Sequence, residues 1–404
     1  MPPNSIFSHF CGRRFMNQNA RQNILLKLFP VMLAFFAMGF VDLVGIATNY
    51  IKNDFKLSDT LANAFPSMVF FWFLVGSVPT GMMMNKIGRK KTVLISLGVT
   101  AVALFLPLTA YNLNVMLVSF CLLGIGNTIM QVSLNPLISN LIKSDKLSSA
   151  LTFGQFVKAI ASFVAPILAA KGAALYGNWM ILYPVFAAEA LIAAFALAFD
   201  KIEEEKISDS PSSFSQCLAL LKDPVIFLCF LGIMCHVGID VGTNVSAPKI
   251  LIQKAGLTLN DAAYATSIYF LFRTLGCFSG SLILTKISNK AFFFFSVVLM
   301  AAGMVLLLSC ADKNLLNVGV GLIGFGNSNV FSIIFAEALL HSPEKKNEVS
   351  GLMIMGLFGG TVFPMIMGYA SDMFATQNAA VAVMTAGVLY LFFLAPKIRA
   401  KNAE

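Results

Sequence analysis

Leu28-Phe-Pro-Val-Met-Leu-Ala-Phe-Phe-Ala-Met-Gly-Phe-Val-Asp42-Leu-Val-Gly-Ile-Ala-Thr-Asn-Tyr-Ile51 is the stretch whose reading decides the fold of this chain. It is almost wholly apolar, yet it carries one carboxylate. At about 1.5 Å of rise per residue, a helix of about 20 residues crosses the roughly 30 Å hydrocarbon layer of a bilayer. Asp42 then lies at membrane depth, where an acid costs about 2.5–3.5 kcal/mol at a span centre. Such a residue persists where it faces a partner or a wet cavity.

Working outward, apolar runs recur with short polar breaks. They predict twelve spans near 28–51, 63–84, 92–110, 115–140, 149–170, 179–199, 225–248, 263–285, 291–310, 315–340, 350–371 and 379–396. The bulk composition agrees, with 58% hydrophobic and 12% charged residues. Soluble domains run at about 45–50% apolar and about 25% charged, so this is an all-α, polytopic membrane protein. A net charge of +9 raises the question of nucleic acid, but the cations sit in short loops between apolar runs. With the N-terminus inside, twenty Lys and Arg fall on the inner side, six on the outer side, and Lys158 and Arg273 within spans. That asymmetry predicts a multi-pass protein of a bacterial inner membrane with both termini cytoplasmic. No cleaved signal is evident, and Met16 is an alternative start to Met1. The seven cysteines have no metal-ligand company and read as small apolar fillers.

The longest polar break, Asp200 to Asp223, cuts the chain nearly in half. The halves repeat. Gly124-Ile-Gly126-Asn127 returns as Gly324-Phe-Gly326-Asn327, and Lys86-Ile87 as Lys286-Ile287, both at an offset of 200. Asp42 and Asp240 are 198 apart, as are Ala165-Pro166 and Phe363-Pro364. Two six-helix bundles in parallel register, related by a pseudo-two-fold along the membrane normal, place a site between them. The expected organisation is a tail 1–27, bundles 28–199 and 225–396, a linker 200–224 and a tail 397–404.

Gly81-Met-Met-Met-Asn85-Lys86-Ile-Gly88-Arg89-Lys90-Lys91 follows span 2. It resembles the major facilitator loop pattern Gly-x-x-x-Asp-Arg-x-Gly-Arg-Arg/Lys. Gly81 allows close helix contact, Gly88 turns the chain, and Arg89 and Lys90 keep the end basic. Asn85 stands where the pattern has the acid that pairs across to another helix, so that latch lacks its charge. Within the superfamily the chain resembles the fucose/galactose/glucose–proton symporters over most of its length. The resemblance is carried by the acid of span 1, by Gly126 to Pro136 in span 4, by the amide Gln155 in span 5, and by Phe272-Arg273-Thr-Leu-Gly276-Cys-Phe-Ser-Gly280 in span 8. It implies the major facilitator fold and alternating access. Two departures stand out. Gln131 occupies the place of a glutamate in the fucose pattern, and Asp42 lies about one turn from where the family's span-1 aspartate aligns, near Gly45.

The acids within spans are Asp42, Glu189, Asp240 and Glu337. Asp42 and Asp240, related by the repeat, are the candidate proton carriers. Glu337, about one turn from the inner end, is expected to reach interfacial water, and Glu189 reads equally as structural. His236, four residues before Asp240, reads as a packed, hydrogen-bonded residue or a relay to it. The simplest pairing is Asp42 with Lys158 and Asp240 with Arg273. The sharper reading gives one cation to a substrate anion, such as a sugar acid. Gln131, Asn135, Gln155, Asn244 and Asn327 supply the amides that sugar hydroxyls need. Phe156 and Tyr269 are candidates for stacking on a sugar ring, but with aromatics this common, lipid-facing or core packing is the stronger reading. No nucleotide loop, dinucleotide fingerprint, metal-spaced cluster or nucleophile elbow is present. The expectation is therefore a monomeric, cofactor-free and metal-free symporter, not an enzyme. It imports a monosaccharide or sugar acid with a proton across a lipid bilayer and has no nucleic-acid partner. The alternatives are an exporter of drugs or metabolites in the same fold, or a transporter of a non-sugar organic anion.

Overall fold

The computed structural model describes residues 26–57, 59–142, 144–202, 213–257 and 259–400. The candidate start at Met16 and most of the linker lie outside them. Twelve long helical segments run through the described residues. α1 (26–54) joins the apolar helix Leu26–Val41 to Leu43–Asp54 through a 3-10 turn, Gly39–Asp42. Then follow α2 (Asp59–Ile87), α3 (Arg89–Thr109), α4 (Leu113–Leu141), α5 (Leu147–Tyr176) and α6 (Leu182–Phe199). The second half holds α7 (Pro224–Ala255), α8 (Leu259–Ile283), α9 (Asn289–Ser309) and α10 (Lys313–His341). α11 (Pro343–Phe374) and α12 (Gln377–Leu394) complete it. A short helix, Phe214–Ala219, ends the linker. Ten of the helices are long and apolar enough to cross a membrane outright. The apolar part of α1 is shorter, and α8 carries Asn260, Asp261, Ser267 and Arg273, which lower its hydropathy.

The repeat seen in the sequence is written into the backbone. Left-handed residues follow the first helix of each half, Lys56 (φ 51) and Gly256 (φ 65). They also precede the sixth, Gly177 (φ 64) and Ala375 (φ 51). Asn112 caps α4, accepting from the Val115 N–H, and Asp312 caps α10 in the equivalent place. Side-chain caps matter here because helix ends leave their first N–H groups without partners. Packing repeats as well. α3 lies on α4 and α6 as α9 lies on α10 and α12; α2 lies on α4 as α8 lies on α10; α1 meets α5 as α7 meets α11. The small residues of the repeated Gly-x-Gly-Asn words explain why. A Cβ on Gly126 would lie 2.6 Å from Thr100 Oγ1, and one on Gly326 2.5 Å from the Ser296 carbonyl oxygen. In lipid, helices associate through such close approaches because apolar burial gives them little drive.

The halves meet at the end that carries the basic loops. There α2 packs on α11, α5 on α8, α4 on α11 and α5 on α10. A Cβ on Gly81 would lie 2.7 Å from the Asn347 carbonyl oxygen, so the first glycine of the loop motif sets the distance between the bundles. Gly88, at φ 88, turns the chain into α3 as expected. Ser149 Oγ donates to the Ser281 carbonyl, and Ser350 Oγ to that of Val132. Among the described residues, the hydrogen bonds that cross between the halves all lie at this end.

The loop motif departs from its expected loss of a latch. Asn85 Nδ2 donates to Glu348 Oε1 at 2.6 Å, and Asn347 Nδ2 donates to Asn85 Oδ1 at 2.7 Å. Arg89 Nε donates to Asn347 Oδ1, and its Nη1 reaches Asn140 Oδ1. The contact persists because the acid has moved to α11 as Glu348, while α2 supplies the amide. Lys90 instead bonds the Ala198 and Asp200 carbonyls within its own half.

A second correction concerns Glu337. It is buried (5% exposed) and meets Arg399 Nε at 3.0 Å, also accepting from the Arg399 backbone N–H. The chain after α12 folds back over the inner end of α10, so a basic residue covers the acid where water was expected.

Candidate functional site

Asp240 and Arg273 lie midway along α7 and α8, and both spans are long enough to hold these positions at membrane depth. Arg273 Nη1 stands 3.1 Å from Asp240 Oδ2. The expected pair of Asp240 with Arg273 is therefore formed. The other carboxylate oxygen, Oδ1, accepts a hydrogen bond from the Tyr269 hydroxyl at 2.5 Å. Tyr269 is four residues before Arg273, so one face of α8 delivers both donors to one acid.

The network continues inward. Asn327 Nδ2 donates to the Tyr269 hydroxyl and to the His236 carbonyl, each at 3.2 Å. His236 Nδ1 lies 2.8 Å from Asn327 Oδ1, which makes the ring nitrogen the donor. Donors thus run in one direction, from His236 through Asn327 and Tyr269 to Asp240, which suits an ionised, acceptor-only carboxylate. His236 is packed and does not touch Asp240 directly. Tyr269 is fully buried and committed to this chain of bonds, so it offers no face for stacking. Asn327, also fully buried, spends both ends of its amide on protein partners. Sequence reasoning missed this tyrosine bond, although a Tyr one turn from an intramembrane arginine is a readable signal.

The first half repeats part of the arrangement. Asn127 Nδ2 donates to the Met38 carbonyl at 2.9 Å, the counterpart of Asn327 on His236 198 residues later. Gln131 Nε2 then donates to Asn127 Oδ1, and Asn135 Nδ2 to the Gln131 carbonyl. The Oδ1 atoms of Asn135 and Asn244 are buried without a hydrogen-bond partner among the described residues. Asn244 Nδ2 is held by the Asp240 carbonyl. Asp42 follows the same repeat as part of the 3-10 turn of α1, but its side chain, and with it the pairing to Lys158, lies outside the described residues. Glu189 on α6 has both carboxyl oxygens buried with no hydrogen-bond partner among the described residues.

A cavity of about 310 Å³ lies between α5 and α8, lined by Gln155, Lys158, Ser162, Arg273 and Thr274 among others. The two helices touch toward the basic end, where Phe156 and Phe278 meet at 5.0 Å, and Ser149 bonds Ser281 beyond them. The cavity opens past that contact. Phe156 therefore packs against the other half through Phe278. Both intramembrane cations line this one space. Sites of about 300–1,000 Å³ suit small molecules. No group of His, Cys, Asp and Glu able to hold a metal occurs among the described residues.

A helical membrane protein of two matching halves, closed at one end around a polar midpoint, is the architecture of alternating-access carriers. Residues 31–355 match the Major Facilitator Superfamily, and the chain belongs to that family of membrane transporters. A glucose/galactose transporter of Brucella abortus is 26% identical over 376 residues, covering 88% of this chain and 90% of its own length. A putative glucose/galactose transporter of Helicobacter pylori is 24% identical over 406 residues, covering 91% of this chain and 95% of its own. The crystal structure of the E. coli fucose:proton symporter FucP is similar with a TM-score of 0.80 at 16% identity, spanning 93% of this chain and 99% of that one.

Proposed function

We propose that this transporter carries out proton-coupled uptake of a monosaccharide or sugar acid by alternating access. The observation that carries the reading is the Asp240–Arg273 pair beside the α5–α8 cavity. It is a titratable acid on a bundle-interface helix, next to polar groups suited to a hydroxylated solute. The names of the relatives from Brucella abortus and Helicobacter pylori support sugar as the solute class. In this reading Asp240 and Asp42 carry protons. Gln131, Asn135, Gln155, Lys158, Asn244 and Arg273 contact the solute, and Asn327 positions Tyr269 against Asp240. Gly81, Asn85, Gly88, Arg89 and Lys90 belong to the closure. The bundles are 28–199 and 225–396, the carrier works as a monomer in a bacterial inner membrane, and the basic end is cytoplasmic, so the contacts at that end belong to an outward-facing state.

The test is uptake of labelled sugars into proteoliposomes with and without an imposed pH gradient. Accumulation should require the gradient in the wild type. Asp42→Asn and Asp240→Asn should lose accumulation yet retain exchange of labelled for unlabelled solute. Gradient-driven uptake that persists undiminished in both variants refutes the proton assignment.

A further inference from the structure

The linker ends in a helix of six residues, Phe214–Ala219, far shorter than the roughly 12–15 residues at which isolated helices begin to hold in water. Its order has local causes. A capping box closes its first turn: Ser213 Oγ accepts from the Gln216 N–H, and Gln216 Oε1 accepts from the Ser213 N–H. Its inner face is also seated. Cys217 is fully buried, and Leu218, Leu220 and Leu221 pack against the core, while Phe214, Ser215 and Gln216 face outward. The seat is shared, because the helix touches α2 of the first half and α11 of the second.

That seat lies at the closure. Cys217 stands near enough to Glu348 of α11 for the carboxylate to act on the thiol. Burial first, and then Glu348, push Cys217 up to about 11, with Lys345 working weakly the other way. Glu348 is the acid that accepts from Asn85 of α2 at 2.6 Å, and both side chains are buried. A hydrogen bond to a charged group is strong while water is kept from it. Cys217, a small apolar filler, brings no water to that spot. The helix is also anchored to one half. The turn Leu220–Lys222 packs on α7 and runs into Asp223, whose carboxylate caps α7 and meets His341 of α10 at 3.1 Å. These ties lie within the second half, so the contact with α2 is the one that a separation of the halves must break.

We propose that the linker helix is the lid of this closure: carried by the second half, it lies over the Asn85–Glu348 bond, shields it from water, and must lift from α2 before the basic end opens. The lid belongs to the gate and acts in the same way for any solute. Opening hydrates Glu348 and uncovers Cys217 in one step. Closing is complete when the helix is reseated, because until then water competes with Asn85 for the carboxylate.

The experiment uses the full chain in proteoliposomes, with spin labels at Asp145→Cys and Glu344→Cys, exposed on the two halves. Cys217→Asp and Cys217→Asn differ in charge but hardly in size. The acid sets a second carboxylate beside Glu348 and draws water under the lid. At mildly alkaline pH the ratio of closed to open molecules should therefore fall about tenfold or more below that of the amide. In a Glu348→Gln background the two variants should give the same distance distribution, which a merely structural defect in the helix would not produce. Maleimide labelling read site by site by mass spectrometry gives a second measurement on the native thiol. Cys217 should react slowly in the otherwise unchanged chain. It should react about tenfold faster or more in Gly81→Val, whose side chain runs into the Asn347 carbonyl and pushes α2 off α11. Equal distributions for Cys217→Asp and Cys217→Asn with Glu348 present overturn the proposal. So does a Cys217 that stays protected in Gly81→Val while the labels show the halves apart, or one that reacts as fast in the unchanged chain. If Gly81→Val leaves the label distances unchanged, the comparison of Cys217→Asp with Cys217→Asn decides alone.

Discussion

Asn85 on α2 and Glu348 on α11 are joined by a 2.6 Å hydrogen bond that crosses from one half of the molecule to the other. The carboxylate oxygen is the acceptor and the amide the donor, the reverse of an acid contributed by the loop motif. A hydrogen bond to a charged group is worth about 1.5–3 kcal/mol, so losing it should shift the balance between closed and open states by roughly ten- to a hundredfold. Glu348→Ala is expected to open the basic end. Spin labels at Asp145→Cys and Glu344→Cys, exposed on the two halves, should report longer distances in that variant. Unchanged distances would show that the remaining contacts at this end hold the closure without the Glu348 bond.

Tyr269 stands between Asn327 and Asp240 and serves both. Tyr269→Phe keeps the ring and removes the hydroxyl, leaving Asn327 Nδ2 and Asp240 Oδ1 each short of a partner. The cost should be about 1–3 kcal/mol of stability, read as a lower melting temperature in detergent. A variant that melts like the wild type would mean that water replaces the hydroxyl.

Arg399 covers the buried Glu337 with both its backbone N–H and its guanidinium. Because the arginine is itself half exposed, a loss of about 1–3 kcal/mol is expected for Arg399→Ala, less than for a fully buried pair. Glu337→Gln should recover part of it, since the lone charge is then gone. Chain denaturation followed for the single and double variants measures the coupling.

Asp223 begins α7. Its Oδ1 accepts from the Val225 and Ile226 N–H groups, and its Oδ2 lies 3.1 Å from His341 Nε2. Partial burial works to raise its pKa, but the His341 bond and the two backbone N–H groups outweigh that and hold it below the usual carboxylate value. A lowered folded pKa adds stability that is present above the unfolded value, about 3.9, and is lost as pH falls through the lower folded value. Asp223→Ala should therefore cost about 1 kcal/mol at neutral pH, the usual worth of such a cap. The difference from wild type should shrink in strong acid. A penalty that stays constant with pH would assign the effect to helix propensity alone.

Much of this architecture could be read before any coordinates. Hydropathy found the spans because lipid admits little else, and matching words found the repeat because small residues sit where helices cross. The Asp240–Arg273 pair followed from the cost of lone charges at membrane depth. What escaped depended on partners distant in sequence. Nothing near Asn85 announces an acid 263 residues later. Glu337 looked solvent-facing because a span's end is judged by depth, and the return of residues 395–400 across it leaves no periodic signal. Asn327 reads as a solute contact because an amide looks the same in sequence whether it faces a cavity or another side chain.

The closure at the basic end is made mostly of uncharged amides, with Asn85, Asn140 and Asn347 outnumbering the ions they touch. Dissolved counterions weaken attractions between exposed charges but have little grip on neutral dipoles packed between helices. The resting posture of this carrier should consequently hold equally well in brine and in dilute surroundings, a tolerance that a carrier sealed by surface ion pairs would lack.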